Sequence, residues 1–451
     1  MRRLLNENLL RLAANCPATL YVVGGFVRDF LAGLSAQNSD LDLCGAMHAD
    51  VFCATAKENG FTVQAVYKHT GTVKLTDPDG NDYEYTCFRS DKYVRGEHTP
   101  AEIYFTNDLS LDCRRRDFTC NAIYYDIASN CFVDPLGGID AVREKRLTTV
   151  DRAEKVFGED GLRLMRLARF CAQLGFTPDN ECLAGAKQNA SMIDDISAER
   201  IYAELNAILQ ADAKYGNAGG HYQGFSLLER IDVLPRIAPE LCLGRQIAQR
   251  PDFHRYNVFE HSLRAMLYAH PRVRLAALLH DVGKPVCQLR DGNVHEHPCE
   301  SAEIIRHRME AWKAPKKEIE HVAELAFWHM YDFDCKTKEN KLRKFFVKHL
   351  DLLPDLLLLK QADFSGCADD CSEAPTVTKW KKLLDKMQNE GAPMRLKELA
   401  VTGSDLLGRI PAPCISTVLA KMLNYAVCNP KENTKKRLLF LLPAFYHEHN
   451  N

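Results

Sequence analysis

The chain is 451 residues long with a formal net charge of −2, 46% hydrophobic and 26% charged residues, a composition that excludes fibrous and unstructured classes. No apolar run approaches the roughly 20 residues needed to span a bilayer; the longest, residues 352–359 and 438–442, are short and interrupted or bounded by Pro354 and Pro443. The near-neutral charge excludes a globally basic nucleic-acid binder, so any such surface must be a local stripe of Arg and Lys.

The length suggests roughly three domains. The seventeen cysteines form no paired CxxC framework and read as reduced, buried small hydrophobes. With no secretory signal, the expected compartment is the cytoplasm. Residues 1–12 carry Arg2, Arg3 and Arg11 against a single acidic Glu7. They read as an amphipathic first helix ending near Pro17 rather than as a transit peptide, because Tyr21-Val22-Val23 starts a strand directly afterwards.

Residues 20–23 form an apolar strand broken by Gly24-Gly25, residues 26–34 have helical spacing, and residues 41–43 are a short strand alternating with carboxylates. Residues 73–75 and 83–88 predict a hairpin around Asp77-Pro78-Asp79-Gly80. Residues 122–127 and 131–133 predict another strand pair. This is an α+β segment, 1–147. From about Val150 the period becomes helical, with Leu162, Met165, Ala168, Phe170 and Leu174, then Ile201, Leu205 and Leu209. Residues 148–220 are read as one helical unit, with glycine-rich 216–224 as a connector. A second helical unit, 221–370, holds most histidines, and 366–375 is read as a junction. A Lys-rich helical tail, 371–451, follows.

In Val23-Gly24-Gly25-Phe26-Val27-Arg28-Asp29, glycine lets backbone approach a phosphate, and the following amides and Arg28 supply positive potential. Asp40 and Asp42 flank Leu41, so strand alternation points both carboxylates to one face. Two carboxylates held together repel unless a cation lies between them, and hard oxygen ligands suit Mg2+ bridging substrate phosphates. Glu84 in Tyr83-Glu84-Tyr85-Thr86 is the best third carboxylate. Arg114, Arg115 and Arg116 form a basic run suited to a triphosphate. Asp160 and Arg163 are placed one turn apart on a helix, where a structural ion pair is the plain alternative to a functional role; Arg166 and Arg169 stay near the same face.

These motifs resemble a known family. Gly24 to Asp29 followed by Asp40-Leu41-Asp42 resembles the signature of class II tRNA nucleotidyltransferases and bacterial poly(A) polymerases. In the same order, Arg115-Arg116-Asp117-Phe118-Thr119-Cys120-Asn121-Ala122, then Glu159-Asp160-Gly161-Leu162-Arg163 with Arg166, Arg169 and Phe170, then Ser197-Ala198-Glu199-Arg200-Ile201 with Glu204, are similar to its further motifs. The resemblance implies a nucleotidyltransferase head with catalytic Asp40, Asp42 and Glu84. In it the Asp pair, with Glu84 as third carboxylate, would hold two Mg2+ ions, while Asp160 and Arg163 would select the incoming base, the protein acting as template. Nucleotide would be held by Gly24, Gly25, Arg28, Arg116, Asp117, Asn121, Asp160, Arg163, Arg166 and Arg169. The implied partners are CTP, ATP and a tRNA acceptor end, and the implied product is a CCA terminus. Alternatives are a poly(A) polymerase or an enzyme adding only CC or only A.

A second cluster joins His261, His280-Asp281 and Asp363, a metal-ligand arrangement on separate helices. It resembles the HD phosphohydrolase superfamily, with His297 and His329 as further ligands where two metals bind. The resemblance implies a divalent metal of unspecified identity, and hydrolysis of phosphoesters there is the second alternative for the main activity. Residues 396–406 resemble the C-terminal segment of HD-containing bacterial tRNA nucleotidyltransferases. The expected architecture is thus an α+β head, an all-α neck, an HD body and a helical tail. In that tail Lys381, Lys382, Lys386, Lys421, Lys431, Lys435, Lys436 and Arg437 could grip RNA phosphates.

Overall fold

The computed structural model describes residues 1–34, 41–92, 101–252 and 254–447. The chain divides into two compact units, Met1–Cys242 with Ala311–Ala314, and Leu243–Glu310 with Pro315–Asn451.

The first unit opens with the helix Glu7–Asn15, started by Asn6, whose side chain accepts from Leu9 N at 2.9 Å. Leu9 and Leu12 are fully buried, so Arg11 lies on an amphipathic helix, as read, whereas Arg2 and Arg3 fall in a separate 3-10 turn, Arg2–Leu4, that precedes it. A seven-stranded sheet follows in the order β3-β4-β5-β2-β1-β8-β9. Its strands are β1 (Tyr21–Val23), β2 (Asp42–Gly45), β3 (Thr62–Tyr67), β4 (Thr72–Thr76), β5 (Asp82–Cys87), β8 (Tyr124–Asp126) and β9 (Cys131–Val133). A separate hairpin joins β6 (Arg89–Lys92) to β7 (Glu102–Phe105). The expected β4–β5 hairpin is present; Asp77 Oδ1 accepts from the amides of Asp79 and Asn81, both at 2.9 Å, and fixes its turn. β2 pairs antiparallel with β1 and parallel with β5, which sets Asp42 beside both Val23 and Glu84.

Helices follow the sheet: Ala153–Glu159, Leu162–Leu174, Ala198–Leu209 and Gly220–Arg230. The glycine-rich stretch 216–224 was expected to be a connector, and the structure corrects this in part: residues 216–219 do join the helix Ala211–Tyr215 to the next, but the rest is helical. Gly220 and Gly224 lie inside the helix Gly220–Arg230, where a Cβ on Gly220 would come within 2.0 Å of Ala172 O. The glycines there allow two helix backbones to touch, which composition cannot distinguish from a flexible link.

The second unit is helical. The expected junction at 366–375 is corrected in the same way. Gly366 lies within the helix Leu353–Ala368, and a Cβ there would meet Ala265 N at 2.6 Å and Ala265 Cα at 2.8 Å. This glycine lets the helix lie flush against Val258–Tyr268. The chain turns only after Ala368, with Asp369 left-handed at φ 58°, and the helix Pro375–Asn389 follows. All seventeen cysteines are free thiols, but only seven are buried as expected, and Cys131, Cys299 and Cys371 are exposed. No helix among the described residues is long and apolar enough to cross a membrane.

Candidate active site and metal centre

In the first unit, β1 ends at Val23 and Gly24 turns the chain with φ 81°; a Cβ there would sit 3.4 Å from Asp42 Oδ2. The turn and the carboxylate are therefore immediate neighbours. Asp42 and Glu84 are register partners on adjacent strands, so their side chains share one face. Both line a cavity of about 550 Å³ together with Gln64, Lys74 and Asp82. Lys74 approaches Glu84 at 3.7 Å. Asp40 lies outside the described residues. Two carboxylates on one face of one cavity, beside a glycine turn, form a hard oxygen donor set that fits Mg2+.

Beside this site runs a chain of buried polar contacts. Arg28 donates through Nε to Asp29 Oδ1 at 2.8 Å and through Nη1 to Asn121 Oδ1 at 2.7 Å. Asn121 Nδ2 donates to Asp117 Oδ1 at 3.0 Å, and Asp117 Oδ2 accepts from Arg166 Nε at 2.7 Å. Burial pushes the Asp117 carboxyl up, but Arg166, Asn121 and the Phe118 amide together hold it well below the usual carboxylate range. Arg169 pairs with Glu204 at 2.8 Å. The guanidinium carbons of Arg28, Arg166 and Arg169 lie 5.0, 5.2 and 4.6 Å from the centre of the Phe170 ring. Residues from three separate motifs thus meet around one aromatic side chain.

Asp160 and Arg163 depart from expectation. They do not lie one turn apart on a helix, because the helix Ala153–Glu159 ends before Asp160 and the next begins at Leu162. Asp160 accepts from Leu162 N at 3.0 Å and lies 3.8 Å from Arg200. Arg163 is buried and donates to Val156 O at 2.9 Å, Glu159 Oε2 at 3.0 Å and Arg115 O at 2.8 Å. Gly161 lets the backbone of Met192 pack against the break: a Cβ there would meet Met192 O at 2.1 Å. The regular 3.6-residue period hid this interruption.

Arg115 and Arg116 are gathered by Asp112, at 2.7 and 3.1 Å. Its carboxylate also accepts from the Tyr124 hydroxyl at 2.6 Å. Burial raises the Asp112 carboxyl, but Arg116 and Arg115 outweigh it and bring the pKa to about 2. Asp112 and Tyr124 were not foreseen as site residues. The signal was present, since Asp112 precedes Arg115 and Arg116 by three and four residues, the spacing of one helical turn.

In the second unit, His261 comes from the helix Val258–Tyr268, His280 caps Arg274–Leu279 and Asp281 follows it. His297 begins His297–Ala311, His329 caps Lys316–Trp328, and Asp363 lies on Leu353–Ala368. All six predicted ligands converge. Asp281 divides them: Oδ2 lies 3.5 Å from His261 Nε2 and 3.3 Å from His280 Nε2, while Oδ1 lies 3.2 Å from His297 Nε2 and 3.6 Å from His329 Nε2. Asp363 Oδ1 joins the first set, 3.0 Å from His261 Nε2. The Nδ1 atoms of His280, His297 and His329 face the carbonyls of Ala277, Val294 and Ala326 at 2.8, 2.6 and 2.5 Å. Those contacts favour protons on Nδ1 and leave the Nε2 lone pairs directed at the centre. Four imidazole nitrogens around a bridging carboxylate fit a pair of divalent ions of borderline softness.

A cavity of about 580 Å³ adjoins this cluster, lined among others by Gln249, His254, Lys284, Phe333 and Lys360. Lys284 Nζ contacts Asp281 Oδ2 at 2.6 Å. Lys360, whose pKa burial lowers to about 8, donates to His329 O at 2.6 Å and Tyr331 O at 2.7 Å, holding the turn that carries His329. Neither lysine nor His254 was foreseen as a site residue. Lys360 precedes Asp363 by one helical turn, so an inward-facing Asp363 implies an inward-facing Lys360.

The comparisons agree with this layout. Residues 20–148 match the poly A polymerase head domain, 175–243 the probable RNA and SrmB-binding site of polymerase A, and 258–360 the HD domain. An A-adding tRNA nucleotidyltransferase of Deinococcus radiodurans is 31% identical over 368 residues, covering 77% of this chain and 76% of the relative. The chain belongs to the tRNA nucleotidyltransferase/poly(A) polymerase family. A second member, the CCA-adding enzyme of Geobacillus stearothermophilus, is 39% identical over 191 residues, 42% of this chain. The match spans 45% of that relative's length. Among solved members, the Bacillus stearothermophilus CCA-adding enzyme in complex with CTP shares the fold over 99% of both chains, with a TM-score of 0.68 at 23% identity. The Thermotoga maritima CCA-adding enzyme complexed with tRNA does so over 97% of this chain and 94% of its own, with a TM-score of 0.63 at 18% identity.

Proposed function

We propose that this protein adds nucleotides without a template to the 3′ end of tRNA, building the CCA terminus from CTP and ATP. The observation that carries the reading is the Asp42–Glu84 pair behind Gly24, next to the Arg28–Asn121–Asp117–Arg166 chain. Asp42 and Glu84, with Asp40, would hold Mg2+. When bound, that ion supplies Lewis-acid stabilisation of the triphosphate and lowers the pKa of the attacking hydroxyl.

In the reaction the tRNA 3′-oxygen bonds to the α-phosphorus as the bond to pyrophosphate breaks, and the hydroxyl proton is lost. The residues of this chain supply position and charge. Gly24 and Gly25 let backbone approach the phosphates, and Arg28 and Arg116 face the triphosphate. Asp160 and Arg163 are assigned to the edge of the incoming base. That role requires Arg163 to exchange its contacts with Glu159 and the Val156 and Arg115 carbonyls for the nucleotide.

The Deinococcus relative, which matches over most of this chain, carries an A-adding name, so addition of A alone is the competing specificity. The test is incorporation of CTP alone and ATP alone into tRNAs ending before CCA, with Asp42→Ala as control. Full CCA addition that vanishes in Asp42→Ala is expected. Addition of A only, or of long oligo(A), overturns the CCA reading; activity surviving Asp42→Ala overturns the site.

The bridged histidine cluster favours a second activity, metal-dependent hydrolysis of phosphoesters such as 2′,3′-cyclic phosphates. Lys284, against Asp281 and open to the cavity, is placed to meet a phosphate. Hydrolysis should disappear in Asp281→Ala while nucleotide addition persists.

A further inference from the structure

Four of the eight tail cations expected to grip RNA are neutralised by carboxylates. Lys381 pairs with Glu373 at 2.6 Å, Lys386 with Glu339 at 2.9 Å, Lys435 with Asp405 at 2.5 Å and Arg437 with Glu432 at 2.9 Å. A different stripe is uncompensated. Lys341, Lys344 and Lys348 lie on the helix Glu339–Lys348 at spacings of three and four residues, hence on one face, and all three are exposed. Among the described residues, no carboxylate pairs with any of them.

The stripe borders a cavity of about 570 Å³ in the second unit, walled by Trp328, Tyr331, Phe345, His349 and Leu396. The rings are held against one another: Phe345 stacks on Tyr331 at 4.0 Å, and Trp328 and His349 lie tilted at 4.6 Å. Leu396 is half exposed. A rigid aromatic wall beside three unpaired cations matches the two demands of a strand with splayed bases: a flat apolar surface for a base and positive charge for its backbone.

We propose that this face binds RNA, with an unstacked nucleotide in the Trp328–His349 cavity and its neighbouring phosphates on Lys341, Lys344 and Lys348. The proposal rests on tRNA being the substrate and adds a site within the second unit where a looped-out part of that RNA is held. An acidic protein segment would satisfy the lysines but gains nothing from the aromatic wall.

The test is tRNA binding by the full chain across a salt series, for wild type and Lys341→Gln/Lys344→Gln/Lys348→Gln. Losing three phosphate contacts to a splayed strand should lower the slope of log affinity against log salt by about 2, and the affinity by roughly tenfold or more near 0.1 M salt. Lys316→Gln/Lys317→Gln, on the far end of the helix that carries Trp328, should lower that slope by less than one. Binding should also quench tryptophan fluorescence, a signal lost in Trp328→Phe, because Trp312 and Trp380 are buried. If wild type binds tRNA and the triple variant keeps its affinity and slope, the proposal is overturned while the catalytic reading stands. If polyglutamate competes as well as RNA, charge alone is recognised and the proposal also fails. If wild type binds no tRNA, both readings fall.

Discussion

Asp112→Asn isolates one buried charge with almost no change of shape. Asp112 is fully buried and accepts from Arg115 Nε at 2.7 Å, Arg116 Nη2 at 3.1 Å and the Tyr124 hydroxyl at 2.6 Å. Its pKa falls from 3.8 to about 2, a difference worth about 2.4 kcal/mol. An amide also turns an N–H toward a guanidinium, so the loss extends toward the roughly 3–5 kcal/mol of a broken buried pair. The pH dependence has a fixed sign. A depressed carboxylate stabilises fully above its unfolded value of 3.8 and loses that contribution as pH falls through about 2. The gap between wild type and Asp112→Asn should therefore be about 2–4 kcal/mol at pH 7 and smaller by about 1 kcal/mol at pH 3. Urea unfolding followed by far-ultraviolet circular dichroism at the two pH values measures it. The same variant should raise KM for the nucleotide, since Arg115 and Arg116 lose their common anchor. A gap below about 0.5 kcal/mol, or one unchanged between pH 7 and pH 3, would refute the argument that Asp112 holds these guanidiniums by charge.

Three further perturbations follow from the geometry. Gly366→Ala should destabilise by about 1–3 kcal/mol, because its Cβ meets backbone of Ala265 that cannot yield; an unchanged melting temperature would contradict this. Phe170→Leu should raise KM for CTP and ATP severalfold while Phe170→Tyr stays near wild type, because the ring orders three guanidiniums. Equal behaviour of the two variants would show that only side-chain volume matters. Asp281→Asn should remove most bound divalent metal, measured by elemental analysis. Unchanged metal content in the variant would argue against Asp281 as the bridging ligand.

Short-range chemistry made much of this protein legible from its sequence. A strand, a glycine turn and alternating carboxylates are local patterns, and Asp42 and Glu84 do fall on strands. His280 and Asp281 are adjacent in the chain, and the ligands from four other helices carried recognisable residue types, so the metal cluster could be listed before it was assembled. The limits lay where one local pattern fits two structures. Glycines 220 and 366 looked like loop residues because a helix-helix contact leaves no mark in composition. The Asp160–Arg163 spacing looked helical because a two-residue break does not disturb the apolar period.

Tertiary structure alone decided who partners whom. Arg28 meets Asn121, Asp117 meets Arg166, and both arginines approach Phe170, although these residues are spread over more than 140 positions of sequence. It also reassigned the cations of the second unit, pairing Lys381, Lys386 and Lys435 with carboxylates and leaving Lys341, Lys344 and Lys348 beside an aromatic wall. The physical reason is common to both. Which residue types carry charge, bind metal or permit a turn is a property of each side chain. Whether a charge is spent on a neighbour or left for a ligand depends on groups brought together from distant parts of the chain.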